Sequence, residues 1–224
     1  MIELDRVSLI LNERPVLSDI SVRLSERRIG IIGANGSGKS SFARCLNGLA
    51  EPTSGHVRVD GLDTVKDGKA VRRKVGFVFQ NPDNQIVMPT VAEDVAFGLK
   101  ALKLDERDAA ERVDEALGRY GLSAYRDHPA HRLSGGQKQL LAIAGVLAME
   151  PDWIVLDEPT TLLDLRNMNT VLRAIAALEQ RVVLVTHALD RLESYDRVLV
   201  IHDGRIAADD APAAAVSRYL EIMA

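Results

Sequence analysis

The chain is short of cysteine and has no long apolar run. Cys45 is the only cysteine among 224 residues, which excludes a disulfide within the chain and favours a reducing, cytosolic compartment. The longest uninterrupted apolar stretch, Leu140 to Met149, has ten residues, about half of what a bilayer crossing needs. The first residues also lack the cationic region and apolar block of a secretion signal. We therefore expect a chain that is not exported and does not span a membrane.

Neither a sign of charge nor a repeat dominates the sequence. The 28 lysines and arginines against 32 aspartates and glutamates give a net charge of −4, which does not favour a broad nucleic-acid surface. We expect no nucleic-acid partner. No internal period is present, which argues against a repeat architecture. With 46% hydrophobic and 27% charged residues, the composition is that of an ordinary globular protein.

Two kinds of apolar pattern predict strands. Residues 2–11 and 16–24 alternate apolar and polar side chains on either side of Asn12–Pro15, which is typical of a β-hairpin with one wet face. Runs that are apolar on both faces predict buried parallel strands, and these runs are 29–33, 75–79, 153–156, 182–186 and 198–201. Asp203-Gly204 predicts a further hairpin near the end of the chain.

Helix signals are concentrated in the middle of the chain. Thr90 and Glu93 have the spacing of a capping box. Asp105, Ser134 and Asp210 can each cap a helix, the first two helices reaching to about residues 120 and 149.

These elements predict one α/β domain over residues 1–224. We expect a parallel-sheet core with an N-terminal antiparallel β subdomain, built from 1–80 and 151–224, and an inserted α-helical subdomain of 81–150. The helix that follows strand 29–33 carries one apolar stripe, made of Phe42, Cys45, Leu46 and Leu49. Cys45 is therefore expected to be a packing residue.

A glycine-rich loop lies between that strand and that helix. Gly33 to Ser40 has the spacing of a phosphate-binding loop, in which glycines let successive backbone N–H groups point at phosphate oxygens. Lys39 supplies a full charge, and the Ser40 hydroxyl suits Mg²⁺ bound to the β- and γ-phosphates. The loop predicts a P-loop NTPase with a RecA-like core. The candidate nucleotide-binding residues are Gly33, Ala34, Asn35, Gly36, Ser37, Gly38, Lys39, Ser40 and Ser41.

A second pair of candidate residues ends the strand 153–156. Asp157 and Glu158 follow this buried run directly, so two carboxylates lie at a strand tip. We assign Asp157 to Mg²⁺ and Glu158 to the attacking water, because one carboxylate can join the metal shell while its neighbour faces the γ-phosphate. The pair is a weak signal alone and gains its meaning from the phosphate-binding loop.

The segment Leu133 to Gln137 is the most specific motif of the chain. Two glycines follow a helix-capping serine, which makes a second anion cradle, yet nothing suggests a second nucleotide-binding core. We therefore expect this cradle to act in trans. At this point the sequence resembles the ATP-binding cassette family, whose subunits pair head to tail and enclose two ATP molecules. The resemblance assigns the signature to Ser134, Gly135, Gly136 and Gln137.

The resemblance covers the whole chain and implies an ATPase that uses ATP and Mg²⁺. Gln80 resembles the family's glutamine that approaches Mg²⁺ and the water and reports to the membrane partner, and His187 resembles the histidine that contacts the γ-phosphate. Asp164 resembles the aspartate that crosses the dimer interface. The implied catalytic residues are Glu158, His187 and Gln80, and the implied metal ligands are Ser40, Gln80 and Asp157.

The sequence departs from the family pattern at two places. The family usually stacks an aromatic ring of the front strands on adenine, but here the first aromatic residue is Phe42 and Leu11 occupies the matching position. We expect weak base stacking and poor discrimination between ATP and GTP. After Glu158 the chain reads Pro159 to Leu165 where relatives commonly carry Ser-x-Leu-Asp-Pro, which leaves the path of this loop open.

Asn81 to Gln85 resembles a segment of the ATPases of energy-coupling factor transporters, which import vitamins and transition metals. There the segment forms an extra helix beside the groove that receives a transmembrane coupling subunit, whose coupling helices carry arginines. Two readings stay open for the acidic residues nearby. Asp83 or Glu93 pairs with such an arginine, or both merely complement a helix N-terminus.

The resemblance also implies partners and a place in the cell. We expect a peripheral subunit at the cytoplasmic face of the cell membrane, paired with a second ATPase subunit, with a homodimer favoured. A transmembrane coupling subunit and a substrate-binding membrane subunit complete the complex. The chain lacks the extra C-terminal segment that many such ATPases carry, so we expect a monomer when it is isolated without nucleotide. This short form resembles the biotin-type ATPase, with cobalt and nickel importers as alternatives.

Other proteins use the same cassette without pumping. A chromosome or repair clamp needs a long coiled coil between the two motifs, and the 92 residues between Ser40 and Leu133 exclude it. A translation factor of the family carries two cassettes, and this chain has one. A pure ATP-sensing module is disfavoured because Glu158 and His187 are both present. A soluble assembly scaffold, for example for iron–sulfur clusters, stays the alternative to a transporter motor.

Overall fold

A computed structural model describes all residues, Met1–Ala224. The chain divides into two compact units. The core unit consists of Met1–Phe77, Asp152–Glu158 and Gln180–Ala224, and the helical unit of Val78–Pro151 and Pro159–Glu179. Relative to the limits expected from the sequence, the segment 159–179 falls in the helical unit rather than in the core.

The core unit begins with an antiparallel sheet of four strands. The strands β1 (Ile2–Leu11), β2 (Arg14–Leu24), β4 (Ser54–Val59) and β5 (Leu62–Asp63) lie in the order β2-β1-β4-β5. Leu11 pairs with Arg14, so the predicted hairpin turns on two residues. Asn12 and Glu13 have φ values of 48° and 63° there, which is the sign that a two-residue turn between twisted strands requires.

A second sheet of six strands carries the predicted buried runs. Its order is β10-β9-β3-β8-β7-β6, and its members are β3 (Arg28–Ile32), β6 (Val75–Val78), β7 (Trp153–Asp157), β8 (Arg181–Val185), β9 (Arg197–His202) and β10 (Arg205–Asp210). Strand β3 pairs in parallel with both β8 and β9, and β7 pairs in parallel with β8. The expected class, a P-loop α/β fold with an antiparallel β subdomain and helices, is confirmed.

Trp153 is the first residue of β7. Its side chain is fully buried, and the Arg181 guanidinium lies 5.4 Å from the centre of its ring, a cation–π distance. The indole nitrogen is buried without a hydrogen-bond partner. Trp153 is the only tryptophan of the chain.

The helices of the core unit are α1 (Lys39–Cys45), α2 (Gly68–Lys74) and α7 (Pro212–Met223). Phe42, Cys45 and Leu46 are fully buried as predicted, and burial raises the pKa of the Cys45 thiol to about 12. The prediction for Leu49 is wrong, because α1 ends at Cys45 and Leu49 is 44% exposed.

The predicted cap of the last helix is also wrong. Ala211 is the residue that precedes α7, and no side chain caps its first turn. Pro212 begins the helix instead, because proline has no N–H to satisfy and its φ already suits a helix. The Asp210 carboxylate accepts a hydrogen bond from Ala211 N at 2.7 Å, outside the helix.

The helical unit contains α3 (Val91–Leu99), α4 (Glu106–Arg119), α5 (Gly135–Leu147) and α6 (Leu165–Ala176). The three predicted N-caps are confirmed, since Thr90, Asp105 and Ser134 each accept a hydrogen bond from the first turn of α3, α4 and α5. The apolar faces of α3, α4 and α5 share one core, which includes Val91, Val95, Leu99, Val113, Leu117 and Leu141. No helix of the structure has the length and apolar character that a membrane crossing requires.

A substitution in the turn between β1 and β2 tests the backbone strain at Glu13. Glu13→Gly should raise the free energy of unfolding by about 0.5–1 kcal/mol, because a positive φ costs an L-residue about 1–2 kcal/mol and glycine almost nothing, less the greater entropy of glycine in the unfolded chain. Urea denaturation measures the change. Arg14→Gly, at the next residue and without a positive φ, is the matched control and should lower stability. A Glu13→Gly variant no more stable than the parent chain would contradict the assignment.

Candidate nucleotide-binding site

The phosphate-binding loop joins β3 to α1 in the core unit. Gly38 has a φ of 105°, and a side chain there would lie 2.8 Å from the Val16 carbonyl oxygen, so only glycine fits. A Cβ on Gly33 would overlap the Ile201 carbonyl oxygen. The backbone path of the loop is therefore fixed from both ends by glycine.

Lys39 lies inside this loop. Its ammonium donates a hydrogen bond to the Ala34 carbonyl at 2.8 Å, and the residue is 4% exposed. Burial lowers the pKa of Lys39, and the carboxylates of Glu158 and Asp157 oppose that shift. The Ser37 hydroxyl is buried and has no hydrogen-bond partner. A charged donor and an unsatisfied hydroxyl in a concave backbone suit the oxygens of a phosphate chain.

Ser40 and Asp157 meet beside the loop. The Ser40 hydroxyl donates to Asp157 Oδ1 at 2.8 Å. Asp157 is 2% exposed, and burial raises its pKa although the Ser40 bond and the Arg44 guanidinium work in the other direction. Two oxygen ligands with phosphate and water are the usual surroundings of Mg²⁺ in nucleotide sites. The residues present thus fit this ion, and no group of three or more His, Cys, Asp or Glu side chains offers another metal site.

Glu158 and His187 contact each other in the core unit. Glu158 Oε1 and His187 Nε2 are 2.9 Å apart, with side-chain exposures of 11% and 40%. Glu158 has a φ of 49°, a left-handed conformation that is strained for a non-glycine residue and is common at active sites. Its N–H donates to the Val185 carbonyl at 3.0 Å, which fixes this backbone to the end of β8. The arrangement places a carboxylate and an imidazole, two side-chain types that serve as general acids and bases, within hydrogen-bond distance of each other.

The signature forms the start of α5 in the helical unit. Ser134 Oγ accepts from Gln137 N, and the Gln137 side chain accepts from Ser134 N at 2.9 Å, a capping box whose Ser-x-x-Gln spacing is visible in the sequence. The Gly135 and Gly136 amides come first in the helix and have no intrahelical acceptor. This turn presents a cluster of N–H groups at a helix N-terminus, as an anion cradle requires.

Asp164 has a local partner that sequence reasoning missed. It precedes α6, where Oδ1 accepts from Asn167 N and Oδ2 from Asn167 Nδ2, both at 2.8 Å. These bonds to Asn167 lower the pKa of Asp164. Asn167 also lies against Gly136, so α6 begins beside the signature turn. The Asp-x-x-Asn spacing of an N-cap was the available signal.

The structure brings Lys39, Ser40, Asp157, Glu158 and His187 together in the core unit. The other predicted residues belong to the helical unit, namely Gln80, Asp164 and the signature residues Ser134, Gly135, Gly136 and Gln137. The roles of the predicted residues in both units stay predictions, as does the low base selectivity expected from Leu11, which is 45% exposed.

Arg44 is a charged neighbour that sequence reasoning did not find. Its guanidinium lies 3.9 Å from Asp157 Oδ2. The signal was its position one helical turn after Ser40, since residues i and i+4 of a helix share a face.

The acidic residues near Gln80 have partners within the chain. Glu93 accepts from the Thr90 backbone and hydroxyl in the capping box of α3. Asp83 Oδ1 lies 2.6 Å from the Lys138 ammonium. Helix capping thus accounts for the position of Glu93, whereas Asp83 has a cation partner far away in the chain.

The sequence matches the family model described as ABC transporter over residues 17–161. A protein of Deinococcus radiodurans named as an ABC transporter ATP-binding protein is 60% identical over 100% of this chain and 99% of its own length. The biotin transport ATP-binding protein BioM of Rhizobium etli is 45% identical with the same coverage. The energy-coupling factor transporter ATP-binding protein EcfA1 of Caldanaerobacter subterraneus is 47% identical over 88% of this chain and 74% of its own.

Two solved structures share the fold at informative identity. One is cbiO1 from Clostridium perfringens, part of the transporter complex cbiONQ, with a TM-score of 0.84, 32% identity and coverage of 99% of this chain and 93% of that one. The other is a dimeric ATP-binding cassette in a post-hydrolysis state bound to ADP and Pi, with a TM-score of 0.83, 28% identity and coverage of 95% and 99%.

Substitutions in the core unit should separate binding from chemistry. Lys39→Ala removes the buried cation and should weaken ATP binding by about 100-fold, because a hydrogen bond to a charged group contributes about 1.5–3 kcal/mol. Glu158→Gln keeps the shape of the side chain and should keep ATP binding, yet lower hydrolysis by about 100- to 10,000-fold, the usual loss with a general base. Titration with a fluorescent ATP analogue and phosphate release measure both. Hydrolysis by Glu158→Gln at the parental rate would rule out its assignment.

Substitutions of the two signature glycines, Gly135 and Gly136, should affect different properties of the protein. A Cβ on Gly136 would lie 2.6 Å from Asn167 Cγ, whereas one on Gly135 would be 3.6 Å from Leu163 Cδ2. Gly136→Ala should therefore lower the free energy of unfolding by about 1–3 kcal/mol, the usual cost of overpacking. Gly135→Ala should leave stability nearly unchanged but lower hydrolysis by about 100-fold, because the methyl group displaces a phosphate from the cradle. Equal stability losses in both variants would contradict the packing described.

Proposed function

We propose that this chain, which belongs to the ABC transporter family of ATP-binding proteins and is an ATPase of the energy-coupling factor type, is the motor subunit of a membrane importer. The observation that carries the proposal is its 45% identity, along its whole length, to a biotin transport ATP-binding protein. The 47% identity to an energy-coupling factor transporter ATP-binding protein supports the same type of importer.

In the proposed cycle two copies of the chain pair head to tail around two ATP molecules. Each ATP bridges Lys39 of one copy to the Ser134, Gly135 and Gly136 turn of the other. ATP thereby offsets the repulsion between the facing surfaces and closes the dimer, and loss of phosphate reopens it. The dimeric cassette bound to ADP and Pi, which this chain resembles, supports a second copy as partner. Asp164 is proposed to cross the interface between the copies.

Hydrolysis is proposed to depend on Glu158 and His187. The Glu158 carboxylate orients or deprotonates a water for in-line attack on the γ-phosphorus, and His187, 2.9 Å from it, contacts the γ-phosphate. Gln80 is proposed to approach the same water. The electrostatic part of catalysis comes from donors fixed in advance, which are Lys39 and the loop amides on one side and the signature amides on the other.

Mg²⁺ is the proposed metal cofactor. Ser40 and Asp157, already in contact at 2.8 Å, would hold it together with Gln80. When bound, the ion would neutralise charge that develops during phosphoryl transfer. The chain's own contribution is to place two oxygen ligands at the end of the phosphate-binding loop.

Biotin is the proposed cargo, with a transition-metal ion as the second candidate. Identity to BioM along the whole chain supports biotin. The fold of cbiO1, a part of cbiONQ, and 46% identity to a cobalt import ATP-binding protein of Syntrophus aciditrophicus support the metal. The cargo is not expected to touch this subunit.

The proposed complex lies at the cytoplasmic face of the cell membrane. Its other members are a transmembrane coupling subunit and a substrate-binding membrane subunit, and this chain is peripheral. Asp83, whose side chain is 62% exposed, is the acid proposed to meet an arginine of the coupling subunit. The names of the relatives favour this transporter role over a soluble assembly scaffold.

Purification and uptake together test the proposal. The tagged chain, extracted in detergent from its own cells, should bring two integral membrane proteins with it. Membrane vesicles should accumulate labelled biotin only when ATP is supplied on the cytoplasmic side of the membrane. Complexes with Glu158→Gln should assemble and not transport. Uptake of labelled Co²⁺ instead of biotin would show that the cargo is the metal ion. Recovery of soluble proteins alone would favour the assembly scaffold over the transporter.

A further inference from the structure

An ion pair links two segments of the helical unit that are far apart in the sequence. Lys138 Nζ lies 2.6 Å from Asp83 Oδ1, and the two residues are 55 positions apart. The Lys138 side chain is only 16% exposed, whereas that of Asp83 is 62% exposed. A mostly buried lysine side chain is therefore paired with a carboxylate that solvent and other molecules can reach.

Lys138 also closes the turn that forms the signature. Its backbone N–H donates to the Ser134 carbonyl at 2.8 Å, which completes the first turn of α5. The capping box between Ser134 and Gln137 lies in the same turn. Through its backbone, Lys138 thus belongs to the turn that presents the Gly135 and Gly136 amides.

Two amide side chains continue the link along α5. Gln139, 1% exposed, donates to the Phe79 carbonyl at 3.3 Å. Gln85 donates to the Ala142 carbonyl at 3.1 Å and accepts from Phe79 N at 3.1 Å. Positions 138 and 139 are each a helix neighbour of position 142, at spacings of four and three residues. The whole segment from Phe79 to Gln85, which includes Gln80, is fastened to α5.

We infer that Lys138 is a positioning residue for hydrolysis, acting through Asp83 to hold the Gln80 segment and the signature turn as one body. Gln80 belongs to one nucleotide site of the proposed dimer, and the signature belongs to the opposite site. A rigid connection makes Gln80 and the signature turn move together. Gln80 therefore reaches one nucleotide site at the same time as the signature reaches the other.

This inference rests on the proposed function and adds a route for regulation. A cation on the membrane partner that binds Asp83 competes with the Lys138 ammonium for the same carboxylate. Docking therefore changes the position of the signature turn through a single shared group. The bond is partly exposed, so salt should weaken it.

The test uses the full chain and six variants, one of which is the Gly135→Ala variant described above. Lys138→Met removes the charge and keeps most of the volume, and Asp83→Asn removes the opposite charge with an isosteric side chain. The double variant gives the coupling between them, and Lys138→Arg restores the cation. Arg126→Met is the matched control, because Arg126 forms a short ion pair with Asp114, at 2.9 Å, in the same unit. The measurements are kcat and KM for ATP, urea denaturation, and hydrogen exchange of the backbone amides of residues 83–85.

Lys138→Met and Asp83→Asn should each lower kcat by about 10- to 100-fold, since small displacements of positioned groups cost that much. KM should stay within about twofold, because the phosphate-binding loop is untouched. The double variant should be no worse than either single one. Lys138→Arg should recover most of kcat, and the backbone amides of residues 83–85 should exchange faster in Lys138→Met but not in Arg126→Met.

Two results would overturn the inference. One is a kcat for Lys138→Met and Asp83→Asn equal to that of Arg126→Met, and the other is losses that simply add in the double variant. Gly135→Ala separates this failure from failure of the proposed function. If Gly135→Ala abolishes hydrolysis while Lys138→Met does not affect it, the signature acts as proposed and Lys138 does not position it. If Gly135→Ala hydrolyses ATP normally, the signature itself has no part in the reaction.

Discussion

The core unit depends on the fact that neighbouring parallel strands end at the same edge of a sheet. Strands β3, β8 and β7 are adjacent and parallel, so the residues that follow them must be neighbours in space. Lys39 and Ser40 follow β3, Asp157 and Glu158 end β7, and His187 follows β8. Residues from three distant parts of the chain become one site through strand pairing alone.

Sequence reasoning found the parts of this site that are written as contiguous motifs. The loop from Gly33 to Ser40 and the pair Asp157 and Glu158 follow continuous apolar runs, which are the strongest strand signals in a parallel sheet. Helix α6 and strand β4 were missed for the opposite reason. The first turn of α6 is polar, with Arg166 and Asn167, and β4 has only Val57 and Val59 buried.

Contacts between distant residues could not be read from the chain. The bond from Lys138 to Asp83 and the unpartnered Ser37 hydroxyl follow from tertiary packing, and no local spacing announces them. The same holds for the left-handed backbone of Glu158. Local rules would place a glycine or asparagine at such a position, and the surrounding strands, through Val185, hold a glutamate there instead. Functional sites are where local preference and tertiary demand conflict most openly.

The solitary, fully buried indole of Trp153 gives the protein an optical consequence. It begins the strand that ends in Asp157 and belongs to the core unit, while the helical unit contains no tryptophan. Tryptophan fluorescence, excited at the red edge of the near-ultraviolet absorption, therefore comes from the core unit only. Melting followed by this emission reports on the surroundings of Trp153 in the core unit, whereas circular dichroism reports on the helices and strands of both units. A gap between the two melting curves would therefore show that the two units do not unfold together.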